Sequence, residues 1–237
     1  DVVAHQLIEM PKASDSAALT AAKLYSQADL RIVDGVATDE NGNTVSLPSG
    51  LLNTRTFWDH REQRDVTVTD VNMAILKNVA PANGVLYVGS TGGPGNAVRL
   101  VNGKQLPDQG LTVVSQNPVY VAGDYNTINK VPAAVMADAI TVLSKNWLPA
   151  GYDTKGKDKI TSRKAEDTTV NAAFALGPSA ESQMGAGNGQ VENVIRLLED
   201  WEQGGARKTL TYRGSLVSLW HSQQATAPWR SPSASNT

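Results

Sequence analysis

From Gly84 onward the chain is a succession of short runs, 85–88, 97–101, 111–115, 119–123, 133–137, 140–144 and 170–176. Nearly every position within them is apolar or small, and Gly, Asn, Asp or Pro separates one from the next. A strand with one wet face alternates apolar and polar residues. A run such as Ala133-Ala134-Val135-Met136-Ala137 does not alternate, which marks a strand covered on both faces. Parallel sheets have that property, but the spacers are too short for the regular helical crossovers of α/β proteins. A coil of strands stacked one on the next satisfies both conditions. No strict six- or nine-residue period is present. The expected fold is therefore mainly β with capping helices, an irregular parallel β-solenoid (β-helix-like), with a β-sandwich as the alternative.

Residues 1–83 read as an N-terminal α/β cap region. Ala17, Ala21, Leu24 and Ala28 share one helical face, and Ser14, Asp15 or Ser16 can cap that helix over 16–28. Strands are expected at 30–33 and 44–47, joined through Asp39-Glu40-Asn41-Gly42-Asn43, in which Asn-Gly is the hairpin signal. The spacing of those residues does not match a calcium loop, which needs Gly at its sixth position and Glu at its twelfth. Residues 66–69 read as strand, and Asp70 as the cap of a short helix through Lys77. In the β-rich core, 84–230, a helix is expected near 190–202: Val191, Val194, Ile195, Leu198 and Trp201 follow helical spacing, and Gly204-Gly205 stops it. Residues 210–219 return to strand, and 231–237 form a polar tail.

Composition removes several function classes. With 21 basic against 23 acidic side chains the net charge is -2, and the one basic run, Lys155 to Lys164, is broken by acidic residues and glycines. No nucleic-acid partner is expected from such a surface. The absence of cysteine excludes disulfides, thiolate metal sites and Cys nucleophiles. No stretch is long and apolar enough to span a bilayer, so no membrane contact is expected for the chain as given. It begins at Asp1 rather than Met, and a preceding N-terminal segment is expected.

Catalytic motifs fail on detail. Gly89-Ser90-Thr91-Gly92-Gly93-Pro94-Gly95 lacks the Lys-Ser/Thr of a phosphate loop and leads into a strand rather than a helix. Histidine occurs only at His5, His60 and His221, with no metal-ligand spacing and no Gly-x-Ser-x-Gly elbow. His60, between Asp59 and Arg61-Glu62, reads as part of a structural ion-pair corner. Asp124 and Asp138 are the only carboxylates of the core β region placed to act as a glycosidase pair, and both read more simply as turn residues binding local amides. Trp58, Trp220 and Trp229 are the rings left for sugar stacking. The expectation is a non-enzyme with no catalytic residue, metal or cofactor.

One long stretch, Val119-Tyr120-Val121-Ala122-Gly123-Asp124-Tyr125-Asn126-Thr127 through Ala133-Ala134-Val135-Met136-Ala137-Asp138-Ala139-Ile140, resembles the C-terminal region of bacterial PilX-like type IV pilus assembly proteins. Further segments agree in order: Thr168 to Phe174, Val191-Glu192-Asn193 leading to Leu198-Glu199-Asp200-Trp201, and Leu210-Thr211-Tyr212-Arg213-Gly214-Ser215 through Trp220, Gln223-Gln224 and Pro228-Trp229. Upstream, Leu30-Arg31-Ile32, Asp59 to Glu62 and Ala97 to Gly103 also fit.

The resemblance implies a structural or assembly component of a pilus or related surface filament, minor-pilin-like, with adhesion as a further role. Its place would be extracellular or at the bacterial cell surface, the periplasm being the alternative. Implied partners are other pilin-like subunits or copies of itself. No catalytic residue comes with it. Gly123 and Gly214 suit tight bends or close backbone approach, Asp124 and Asn126 turns, and Gln223 and Gln224 amide ladders or a satisfied buried network. Asp124 and Gln224 are the binding candidates. The reading from a different class is a secreted carbohydrate-binding or carbohydrate-active β-helix protein, with a surface glycan as its partner.

Overall fold

Apolar residues at consecutive positions demand cover on both faces of a sheet, and the chain supplies it by winding between two sheets. A computed structural model describes residues 2–157, 160–180 and 193–228. Sheet A has seven strands, in spatial order β2 (Val36–Thr38), β1 (Leu30–Val33), β5 (Val85–Gly89), β7 (Leu111–Ser115), β9 (Ala133–Ala137), β12 (Ala173–Leu176) and β15 (Leu216–Ser218). Sheet B has six: β3 (Leu52–Asp59), β4 (Arg64–Asn72), β6 (Asn96–Val101), β8 (Val119–Ala122), β10 (Ile140–Leu143) and β13 (Ile195–Leu197). A two-stranded sheet C pairs β11 (Thr168–Asn171) with β14 (Leu210–Arg213). The fold is mainly β with parallel-rich mixed sheets. Only the hairpins β1–β2 and β3–β4 are antiparallel; every other strand pair is parallel.

From β4 on, successive strands alternate between sheets B and A, with β11 and β14 inserted at one corner of the last turns. In-register parallel pairing stacks like on like. On sheet A the interior ladder runs Leu30, Leu86, Val113, Val135, Phe174, Leu216. On sheet B it runs Leu52, Val71, Leu100, Val121, Val142, Leu197. All but the two end members of sheet B and the last of sheet A are buried. Fully burying one such side chain contributes about 1.5–3 kcal/mol, and each strand draws that from the strands paired beside it.

The outer faces of sheets A and B are covered by segments that are not part of these sheets. Over sheet A, Ile8, Met10, Leu24 and Tyr25 pack with Tyr87, Val114, Met136 and Trp220. Over sheet B, Trp147 and Tyr152 close on Phe57, Val68, Tyr120 and Leu143, with Trp147 edge-on to Phe57 at 5.3 Å between centroids. The helices α1 (Val2–His5), α2 (Ala17–Ala22) and α3 (Leu24–Gln27) belong to the segment over the flank of sheet A, and α4 (Met73–Leu76) lies between β4 and β5.

Several local expectations are corrected. The helix near 190–202 is absent over its described part: Ile195–Leu197 is strand β13, paired in parallel with β10. A helix there would expose Arg196 and Asp200. Pairing instead puts Ile195 and Leu197 on the core side and carries Arg196 to Glu62, so long-range partners override helical spacing. The helix over 16–28 breaks at Lys23, whose backbone is extended so that its buried ammonium meets Asp15 at 2.6 Å and the Met10 carbonyl at 2.9 Å. The hairpin turn is Asp34-Gly35, both at positive φ as a type I′ turn requires, not Asn41-Gly42. The Asp39 carboxylate ties 39–43 into a local turn, and 44–47 contributes a single bridge rather than a strand. Asp70 lies within β4, and Asn72 caps α4 in its place. The runs 170–176 and 210–219 each bend into two strands of different sheets. The polar tail lies outside the described residues.

Candidate functional site

Asp124 follows β8, at the corner where the chain leaves sheet B. Gly123, at positive φ, makes that bend. One Asp124 carboxylate oxygen accepts the Thr169 N–H at 2.9 Å, which fixes the start of β11, and the other lies 3.9 Å from Lys104 Nζ. Asp124 is half-buried at the edge of an open cleft of about 450 Å³ lined also by Lys104, Ser144, Lys145 and Leu148.

Asp138 occupies the opposite corner, between β9 and β10. About 13 Å of sheet B strand separates the two corners, beyond the spacing of a glycosidase pair. Asp138 does not act as a local turn residue. Fully buried, it accepts from the N–H groups of Gln223 at 2.6 Å, Gln224 at 3.1 Å and Ala225 at 3.3 Å, and from the Ser222 hydroxyl. His5 Nε2 lies 3.0 Å away, and His5 Nδ1 faces Glu9 at 2.9 Å. Burial alone would lower the His5 pKa, but the hydrogen bonds and charges of Asp138 and Glu9 outweigh it and the pKa is raised. One carboxylate thus holds both the first and the last described segments at the β9–β10 corner.

Gln224 belongs to the same clamp. Its amide donates to the Gln116 carbonyl at 2.9 Å and its oxygen accepts from Asn117 Nδ2 at 3.0 Å, so both ends of the amide are engaged. The two binding candidates therefore lie at different corners, and each is used by the fold. Trp220 is buried in the flank of sheet A, its indole N–H donating to the Asp138 carbonyl at 3.3 Å, while Lys157 lies over the Trp58 ring at 4.8 Å. Trp229 lies outside the described residues.

The Asp59–Glu62 corner is a buried seam. Asp59 accepts from the N–H groups of Arg61 and Glu62 and from the Tyr120 hydroxyl at 2.5 Å. Glu62 pairs with Arg196 at 2.5 Å, and Arg196 also donates to the Ala225 carbonyl. Arg61 reaches Asn193 at 2.8 Å; its burial, reinforced by the nearby Arg196 charge, lowers its pKa to about 9. Farther along the same flank, fully buried Arg99 forks onto Asp70 and Asp153, which also accepts from the Trp147 indole. Removing one partner of a buried pair of this kind costs about 3–5 kcal/mol. Glu199, also buried, takes the N–H and hydroxyl of Ser144, both at 2.5 Å, and burial raises its pKa to about 7. No cluster of His, Asp and Glu suited to a metal ion occurs among the described residues.

Sequence reasoning missed Arg99, Glu199 and the reach of Asp138. A signal existed for two of them: a charged residue inside an apolar run, as in Ala97-Val98-Arg99-Leu100-Val101 and Val135-Met136-Ala137-Asp138-Ala139-Ile140, must find a buried partner.

A further surface feature is β15, the outermost strand of sheet A among the described residues. Leu216 stands in register with buried Phe174 yet is 38% exposed, and Val217 and Leu219 are exposed beside it. No family model, curated protein or solved structure matches the chain.

Proposed function

We propose that the chain is an irregular parallel β-solenoid and that it serves as a non-enzymatic, extracellular or cell-surface component of a bacterial pilus or related filament. The observation that carries this reading is the end of the interior ladder. Leu216 continues a column of core residues and is exposed because no further strand covers it among the described residues. An apolar core and a strand edge left open at one end form a surface suited to continuation by another subunit. The PilX-like resemblance supports the same class. So does the employment of the carboxylates: Asp138, Asp59, Glu62 and Asp70 all hold distant segments together, which is the use a scaffold makes of them.

The test is to shear filaments from cells that produce the protein and label them with an antibody against this chain. Regular labelling along or at the tips of the fibres is expected. Recovery of the chain only as a free monomer in the medium would overturn the filament role.

A further inference from the structure

We propose that residues 2–7 form a strap over the outer flank of sheet A that closes only while His5 carries a proton on both ring nitrogens, so that pH opens and shuts it. The strap does not depend on the filament reading. It is held through one side chain. Among the described residues of this stretch His5 makes the only side-chain hydrogen bonds, with Nδ1 facing Glu9 at 2.9 Å and Nε2 facing Asp138 at 3.0 Å. The ring stands edge-on to Trp220 at 5.6 Å between centroids, and Ala4 packs into the same cluster.

The proton count follows from the partners. A neutral imidazole has one N–H, enough for one of the two carboxylates. Neither carboxylate has a proton to offer in return. Both oxygens of Asp138 accept backbone N–H groups, Oδ1 from Gln223 and Oδ2 from Gln224 and Ala225, and the Ser222 hydroxyl donates as well. Glu9 faces Lys12 Nζ at 2.5 Å; burial penalises its anion, but the hydrogen bonds from Lys12 and His5 outweigh that and lower its pKa. The closed strap therefore needs imidazolium, which donates to both carboxylates at once. The other elements packed around the ring bring no further charge to it among the described residues. From β5 comes the Tyr87 hydroxyl, which donates to the Ile8 carbonyl at 3.0 Å, and from 220–225 the Trp220 ring. Lys23, at the Met10 carbonyl, pairs with Asp15 at 2.6 Å.

The attachments just beyond residue 7 do not pass through His5. Tyr87 holds the Ile8 carbonyl, Gln116 accepts the Met10 N–H at 3.1 Å and Lys23 donates to the Met10 carbonyl. Ile8 to Met10 is thus a fixed pivot, and opening swings residues 2–7 away from Trp220. Asp138 keeps its donors from 222–225, so that segment stays in place. Burial by itself would lower the His5 pKa, but the hydrogen bonds and charges of Asp138 and Glu9 raise it above 6.5. Closure is therefore complete below pH 6.5 and is lost as pH rises through the raised value. Each unit by which closure raises that pKa is about a factor of ten in the closing equilibrium.

The test follows the full chain from about pH 6 to about pH 9, reading the His5 ring-nitrogen shifts and the amide-exchange protection of residues 5–9 and 220–225. In wild type both ring nitrogens should be protonated at the lower pH. As the ring loses a proton, protection over 5–9 should fall by about tenfold or more while 220–225 holds. Glu9→Gln lets the side-chain amide donate to a neutral Nδ1 while Nε2–H stays on Asp138, so this variant should keep its strap closed at both pH values. His5→Gln can serve only one carboxylate and should be weakly protected over 5–9 at both. Circular dichroism checks the fold of each variant. A singly protonated His5 at the lower pH, protection that does not change as the ring titrates, a Glu9→Gln strap that opens as wild type does, or loss of protection over 220–225 in step with 5–9 would overturn the proposal.

Discussion

Glu199 shows how burial turns a single side chain into a pH-dependent element. Its acid form is favoured because the low-dielectric flank of sheet B penalises the anion more than the two Ser144 hydrogen bonds and the Arg163 charge stabilise it. With the folded pKa raised from 4.5 to about 7, the folded protein keeps a proton that the unfolded chain has released across that interval. The resulting stabilisation is complete below pH 4.5 and is lost as pH rises through about 7. Its size is on the order of 3 kcal/mol. Glu199→Gln can still accept from the Ser144 N–H and donate to its hydroxyl, so the variant should lack this loss. Urea unfolding at pH 5 and pH 8 checks it: the wild-type midpoint falls relative to the variant's as pH rises, and parallel behaviour would assign the titration elsewhere. His5 titrates in the same direction, its imidazolium bridging Glu9 and Asp138, which is why the difference between the two proteins is the informative quantity.

Among elements, the corners decide how the last strands sit. At Gly214, between β14 and β15, a Cβ would lie 1.9 Å from the Ala172 carbonyl oxygen, a backbone atom that cannot turn aside. Gly214→Ala should therefore lift the β14–β15 corner from the β11–β12 corner and cost at least about 2 kcal/mol. Gly42 is the matched control: its φ of +83° disfavours a side chain, but nothing lies within 4 Å, so Gly42→Ala should cost no more than about 1–2 kcal/mol. Hydrogen exchange separates them, since only Gly214→Ala should speed exchange over 210–218. The resemblance-based reading of Gly214 as a close-approach position is met by this geometry, and Gly123 does form a bend. Strands were legible wherever a run was apolar throughout, because cover on both faces leaves that mark. Asp34-Gly35 and Asn41-Gly42 carry equally plain turn signals, and only the first closes the β1–β2 hairpin. The break at Lys23 and strand β13 carried none, since both depend on partners far away in sequence.

For the whole molecule, Asp138 fastens the N-terminal segment and residues 222–225 to the same corner, between β9 and β10. Asp138→Asn replaces one acceptor oxygen with a donor that faces several N–H groups. The variant should lose about 3 kcal/mol or more in urea unfolding. Exchange should accelerate together over residues 5–9 and 220–225, while β5 to β8 change little. Acceleration at one segment alone would mean that the two are held independently.

By itself the sequence determined that the strands would be short, covered on both faces and joined without long helical crossovers, because consecutive apolar residues and closely spaced turn residues leave few alternatives. It also set aside thiolate chemistry, since the chain has no cysteine. Tertiary structure decided which charged residues became internal fasteners, since a carboxylate such as Asp138 or Glu199 looks the same in sequence whether its partner is water or a backbone amide many residues away. It also decided which strands lie at the sheet edges among the described residues. Leu216 and Val135 are both interior-facing members of one column, and only the presence or absence of a neighbouring strand makes one a surface and the other a core.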